Sequence, residues 1–367
     1  MKRASTVGCS SRRRNTRDVA EQIVDPTPRV RLARITDLAA LVAISRRAHD
    51  ASPDEPAAIR SLGLPIAPAA LSLYQLFRMP LSLIRSSDSI WVHQRGSTLD
   101  GLARVERDLH GEWTAVELSA VDDAARARLL ARVVREAGRH GVARVHVACR
   151  EDAATLALLG AAGFQVYARE TLYALQLGRA ATLPSLDSVR DAASPLRPAH
   201  SSDALPIAQL MARVTPPAVA RIELTDARDW ERATTGAWAP LASISPLLRL
   251  AEGSAFVVDG DAGDLDGWVH IGVAREPGEQ HPHSLRITTL PSVSVAPIIA
   301  ASLAEISARA TEAGTGGGAI LAVVRSYESG VGAALRAHGF EEIADLRLAV
   351  RDARARVTAP GMVPAIG

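Results

Sequence analysis

The chain of 367 residues is written twice. RLARITDLAALVAI (31–44) parallels LRPAHSSDALPIAQL (196–210), setting Asp37 against Asp203. FRMPLSLIRSSDSIWV (77–92) parallels SISPLLRLAEGSAFVV (243–258), setting Pro80 against Pro246. LDGLARVE (99–106) parallels LDGWVHIG (265–272), setting Gly101 against Gly267. All three pairs stand 166 residues apart, and the Gly-Phe pairs at 163–164 and 339–340 stand 176 apart. The difference fits an insertion in the second copy near REPGEQHPHS (275–284). Equal offsets in the same order mean a duplicated domain, and such a repeat constrains topology more than any local pattern does. The length agrees, since it exceeds one ordinary domain and suits two.

The repeat divides the chain into a basic tail (1–28), a first copy (29–178), a linker rich in Ala, Ser and Pro (179–193), a second copy (194–352) and a C-terminal tail (353–367). Within the first copy Asp37 is expected to cap a helix carrying Leu38, Leu41, Val42 and Ile44. A Pro-broken helical region follows at 53–87. SIWVHQ (89–94) and GLARVE read as a hairpin turning between Gly96 and Gly101. WTAVELSAV (113–121) is a strand. DDAARARLLARVVREAGRHG (122–141) is a helix with the apolar stripe Leu129, Leu130, Val133, Val134 and Ala137, and it stops at Gly141. ARVHVAC (143–149) is a buried strand, a short helix ends at Gly163-Phe164, and QVYARETLYAL (165–175) closes the copy as one or two strands. Strand, helix and strand over 113–149 imply a parallel pair with a right-handed crossover. The fold class expected is α/β, with mixed sheets and helices on both faces.

Apolar residues at 47% and charged residues at 22% supply a full core. Lys+Arg 42 against Asp+Glu 40 leaves a net charge of +2, which argues against a dominant nucleic-acid surface. Lys2, Arg3, Arg12, Arg13, Arg14 and Arg17 all precede the first acid, Asp18, and read as a solvated tail; a weak role with an anionic partner is the sharper alternative. No run approaches ~18 consecutive apolar residues and no segment resembles a signal peptide, so no membrane partner and a cytoplasmic location are expected. Cys9 and Cys149 do not make a disulfide framework.

Several local signals are set aside. EAGTGGGAIL (312–321) follows a helix and precedes a strand, the reverse of a phosphate loop, and reads as a connection. HPH (281–283) lacks a third ligand at metal spacing and reads as a solvated loop. His146 and Cys149, three apart on a strand, face opposite ways and read as structural.

Three features resemble the GNAT superfamily of acyl-CoA-dependent N-acetyltransferases: the opening RLARITDLAAL (31–41), the strand–helix–strand at 113–149, and REDAATLALLGAAGF (150–164), which is similar to the family's last helix. The resemblance covers about 29–177 and more faintly 194–352. It implies two tandem GNAT-like domains that transfer an acyl group from acetyl-CoA or another acyl-CoA to a small primary amine. It also implies a central strand that splays from its neighbour to admit the pantetheine arm, and a turn before the long helix whose N–H groups hold the pyrophosphate.

That implied turn runs through Ser119, Ala120 and Val121 in the first copy, with Arg126 and Arg128 as added cations, and through Thr289, Leu290, Ser292 and Ser294 in the second. The first lacks the family's glycines and carries Asp122 and Asp123, either of which can cap the helix. A like charge at ~5 Å and an effective dielectric of ~20 costs roughly 3 kcal/mol per pair. The second also lacks glycines, and Pro297 removes a donor, but it has no acid. Glu117 is the candidate base, expected to face away from Val116 and Leu118; the second copy offers Arg286 and Thr288 and no acid on that strand. The family's leaving-group tyrosine is Leu159 and Leu335 here, and its asparagine is Asp152 and Glu328. The alternative to an enzyme is a catalytically degenerate GNAT fold acting as a binding or interaction protein.

Overall fold

A computed structural model describes residues 27–50, 62, 88–107, 111–176, 194–223, 227–233, 248, 250–277 and 281–354. The tail 1–26, most of the Pro-broken segments, the linker 179–193 and the end beyond 354 lie outside the described residues. The first copy contributes β1 (Arg29–Leu32), α1 (Leu38–Asp50), β2 (Asp88–Arg95), β3 (Thr98–Arg107), β4 (Trp113–Ala120), α2 (Asp123–Arg139), β5 (Arg144–Arg150), α3 (Ala153–Ala161) and β6 (Gln165–Gln176). The second contributes β7 (Arg197–Pro198), α4 (Ala204–Val214), α5 (Pro217–Glu223), α6 (Ala227–Ala233), β8 (Leu250–Asp259), β9 (Leu265–Ala274), β10 (His283–Thr289), α7 (Ala296–Glu312), β11 (Ala319–Arg325), α8 (Ser329–Ala337) and β12 (Glu341–Asp352).

Local chemistry explains the repeated elements. Both copies open on the same clamp: Arg31 grips Asp37 at 2.6 and 2.9 Å, and Arg197 grips Asp203 at 2.8 and 2.9 Å. Asp37 accepts from the Arg34 amide and Asp203 from the His200 amide, so each carboxylate locks a short 3-10 turn (Ile35–Asp37, Ser201–Asp203) ahead of the helix. The expected helix cap is therefore a turn lock one step upstream, because an adjacent guanidinium holds the carboxylate over the turn. The stripe of α2 is buried as its spacing predicts, Asp122 caps it by accepting from Ala125 N at 2.7 Å, and Gly141 follows it with φ +72°.

The twelve strands among the described residues form one sheet in the order β1-β2-β3-β4-β5-β12-β6-β11-β10-β9-β8-β7. The repeat gives no hint of how the copies meet at its centre. β6 does not close its own copy: it pairs antiparallel with β11, while β12 pairs antiparallel with β5. The two exchanged strands also pair with each other, Glu170 opposite Leu346. These two residues are 176 positions apart, the offset of the Gly-Phe pairs, so the twofold relating the copies passes through them. Each copy thus covers the edge that the other would leave unpaired.

One face of the sheet carries α2, whose Val133 packs with Leu118 and Val147, and α7 over Ile271, Leu285 and Ile320. The opposite face carries α1 against Val92 and Leu102, α4 and α6 against Val257 and Trp268, and Val219 of α5 over the centre against Leu172, Leu321 and Leu346. Trp230 of α6 meets Trp268 edge-on, ring centroids 5.2 Å apart.

Candidate functional site

Two forks interrupt the sheet at equivalent places. β4 and β5 run parallel for only three pairs, Trp113–Val145 to Ala115–Val147, after which β4 continues to Ala120 and β5 to Arg150 without pairing. β10 and β11 do the same after Leu285–Ala322. Each fork opens toward the start of the helix that follows its first strand.

In the first copy the fork coincides with a bulge. Ala115 pairs with Val105 and Glu117 with Arg104, leaving Val116 as the extra residue. Val116 consequently packs with Ala148 on the α5 face, whereas Leu118 packs with Leu129 under α2. The expectation that Val116 and Leu118 share a face is corrected by this one-residue shift. Leu118 and Ala120 enter the α2 core, so Glu117 and Ser119 point to the other face, both buried. His146, paired with Thr114 just before the strands part, holds the Glu112 carboxylate at 2.5 Å through Nε2 and turns an edge to Tyr167. Cys149 faces the α2 core, and burial pushes its thiol up to about 12, so it is inert.

In the second copy β10 pairs with β9 without a bulge, and the position opposite His270 is Arg286. Its Nη1 donates across the fork to the Val323 carbonyl oxygen at 2.9 Å. The same guanidinium grips Glu328 at 2.6 and 2.9 Å. Glu328 also accepts from Thr288 Oγ1 and from the Arg325 amide. Burial is the largest influence and works against the Arg286 charge, but the Glu328 carboxylate, together with Tyr327 and Glu170, raises the pKa on balance and holds the group protonated. The pair therefore ties β10 to β11 where β4 and β5 stay apart. Sequence reading noted that the β10 strand carries no acid; it could not see that Glu328, at the start of α8, would supply one.

A second buried charge group lies beside it, at the twofold. Arg325 contacts Glu170 at 2.8 Å and Glu223 at 2.6 Å, and Tyr167 donates to Glu223 at 3.3 Å. Burial pushes the Glu223 carboxyl up, against the pull of Arg325. Tyr167 and Tyr327 are both raised by burial, and Tyr173 packs on α8, where its hydroxyl accepts from Arg336 at 3.0 Å. None of the three tyrosines occupies the positions of Leu159 or Leu335, which are both buried in the cores.

The helix starts differ as well. At α2, Asp122 occupies the Ala125 amide and pairs with Arg95 at 2.9 Å; the amide bond and then Arg95 hold its carboxyl below the usual range. The Val121 amide donates to the Asp100 carbonyl oxygen, Ala120 is in the core, Arg126 is buried against Asp123, and Arg128 is exposed. At α7 no side chain among the described residues caps the helix, Pro297 lies in the first turn, and Ser292 and Ser294 are exposed beside it. Thr289 ends β10 buried, and the Leu290 amide donates to the Asp266 carbonyl oxygen. The residues named for a phosphate thus gather at two separate helix starts, the first taken by an acid and the second uncapped.

HPH at 281–283 is not a solvated loop throughout: His283 begins β10, fully buried, and its Nδ1 accepts from the Ala274 amide at 3.2 Å. Burial lowers its pKa and keeps it neutral. No three metal-ligating side chains gather among the described residues, and no helix there is long and apolar enough to cross a membrane.

No family model matches the chain, and no curated protein matches it in sequence. Solved structures do match in shape. A tandem GNAT protein from the clavulanic acid biosynthesis pathway superposes with a TM-score of 0.52 at 13% identity, over 90% of this chain and 99% of that one. A GCN5-related N-acetyltransferase from Sphaerobacter thermophilus gives 0.43 at 14% identity, over 89% and 96% of the two chains. A counterpart from Kribbella flavida gives 0.40 at 14%, over 89% and 71%. The likeness to the first is one of fold and runs nearly end to end, over a protein that is itself tandem, in keeping with the repeat and the two forks seen here.

Proposed function

We propose that the protein is an acyl-CoA-dependent N-acyltransferase acting on a small primary amine, with the chemistry at the first copy's fork. The observation that carries this reading is that β4 leaves β5 at the bulge beside Glu117, whereas Arg286 bridges the equivalent gap. Along 116–120 the edge of β4 that faces β5, away from its ladder with β3, offers N–H and C=O groups to the amides of a pantetheine arm, as an added strand would. Glu117 takes a proton from the ammonium of the acceptor, and the amine so formed attacks the thioester carbonyl carbon. Solvent water protonates the departing thiolate, since Leu159 stands where the family's tyrosine would.

The start of α2 fits the diphosphate poorly, because Asp122 already holds the amide that would meet it. That observation favours a second reading, a GNAT fold that binds without turning over. Titration with acetyl-CoA and longer acyl-CoAs separates the two. Binding at 100 times the dissociation constant stabilises by ~2.7 kcal/mol, and thiol release in the presence of primary amines marks turnover. No thermal shift at millimolar acyl-CoA leaves the binding protein.

A further inference from the structure

Arg104 is the residue at the fork that neither the fold nor the transfer step explains. It lies on β3 directly opposite Glu117, with its side chain 12% exposed. Its neighbours Ala103 and Val105 both enter the α2 core, so Arg104 projects with Glu117 to the other face. Among the described residues it pairs with Glu106, with Nη2 3.5 Å away, and its buried Nε has no hydrogen-bond partner there. A guanidinium has five donors, and buried ones are ordinarily satisfied. The first copy therefore holds an under-used cation beside the carboxylate that meets the amine. The second copy has neither: His270 and Arg286 take these positions, and Arg286 is spent on Glu328.

We infer that the acceptor is an α-amino acid, its carboxylate taken by Arg104 and its ammonium by Glu117; this rests on the acyl-transfer reading. Directly opposed side chains have Cβ atoms about 4.5–5.5 Å apart, a spacing suited to two charged groups borne on one carbon. Glu117 removes one proton from the ammonium, the nitrogen lone pair bonds to the acyl carbon, and the C–S bond breaks. The thiolate takes a proton from water, and the second nitrogen proton leaves to solvent. Arg104 forms or breaks no bond in this step; it fixes the amine over the fork and selects against amines lacking the carboxylate.

The test uses the full chain and acetyl-CoA, comparing L-phenylalanine with phenethylamine and L-leucine with 3-methylbutylamine. Product is identified by mass, and kcat/KM is read from thiol release. Loss of a charge-assisted contact should favour each amino acid over its decarboxylated partner by about 10- to 100-fold. Arg104→Gln should erase that ratio, mainly through a raised KM for the amino acids. Equal or better use of the plain amines by the unaltered protein overturns the proposal without any variant. So does an unchanged ratio in Arg104→Gln. If acetyl-CoA binds and neither class of amine is acetylated, the proposal fails while the fork stands as an acyl-CoA site. If acetyl-CoA does not bind, both fail.

Discussion

Glu117 and Arg286 hold the same place in the two copies, opposite Arg104 and His270 just past a parallel fork and on the same face of the sheet, with the bulged Val116 intervening only in the first copy. One is a carboxylate beside a gap that stays open; the other is a guanidinium that reaches over the gap to Val323 and Glu328. A duplicated gene has thus kept one architecture and divided its chemistry.

The bridge in the second copy makes a strong stability prediction. Arg286 and Glu328 are 4% and 1% exposed at their side chains. Glu328→Ala should destabilise by about 3–5 kcal/mol, because it strands a buried guanidinium. Arg286→Met with Glu328→Leu should cost much less, since neither charge is then left behind. Urea unfolding measures both, and a loss below 1 kcal/mol for Glu328→Ala would show that the pair is not desolvated as described.

Exchange of β6 and β12 predicts that neither copy folds by itself. Residues 1–185 would lack the strand that covers β5, and residues 186–367 the one that covers β11. Separately expressed, each should lack a cooperative unfolding transition; mixed or co-expressed, they should form a 1:1 complex that has one. Calorimetry and size-exclusion chromatography decide it, and a monomeric fragment with its own sharp transition contradicts the exchanged topology.

At the start of α2, Asp122→Gly should do two things at once. It removes a cap, at a cost of a few tenths of a kcal/mol, and it releases the Ala125 amide together with a negative charge. Acetyl-CoA affinity should rise by about tenfold, less than the roughly 3 kcal/mol of a full charge pair because Asp122 is partly solvated and already paired to Arg95. Isothermal titration of the two proteins measures this; equal or weaker binding in the variant removes Asp122 as the obstacle.

The opening clamps predict an acid dependence. Arg31 and Arg197, more than any other influence, hold Asp37 and Asp203 below the usual carboxylate range. A depressed folded-state pKa gives stability that is complete above the unfolded aspartate value, about 4, and is lost as pH falls through the folded value. Asp37→Asn and Asp203→Asn should therefore be less stable than the parent at pH 7, by a gap that narrows as pH falls below about 4. Denaturation midpoints at a series of pH values test this; a gap that persists undiminished at pH 2 would assign the loss to packing instead.

The repeat, read from the chain, determines that there are two copies, that each is α/β, and that each holds a parallel pair about a long helix. Offsets of whole elements survive because apolar periodicity and turn residues act locally: the α2 stripe, Gly141 and the Asp122 cap are all legible within twenty residues. Three things were decided only by the tertiary structure. Which copy each closing strand completes depends on free edges meeting in space, so 165–175 reads alike whether it pairs with β5 or β11. The bulge that turns Val116 away from Leu118 depends on the register against β3, which the β4 sequence does not carry. And the closing of the second fork needs Glu328 to come within 2.6 Å of Arg286, 42 residues earlier in the chain, a meeting that strand–helix–strand packing arranges and no spacing rule encodes.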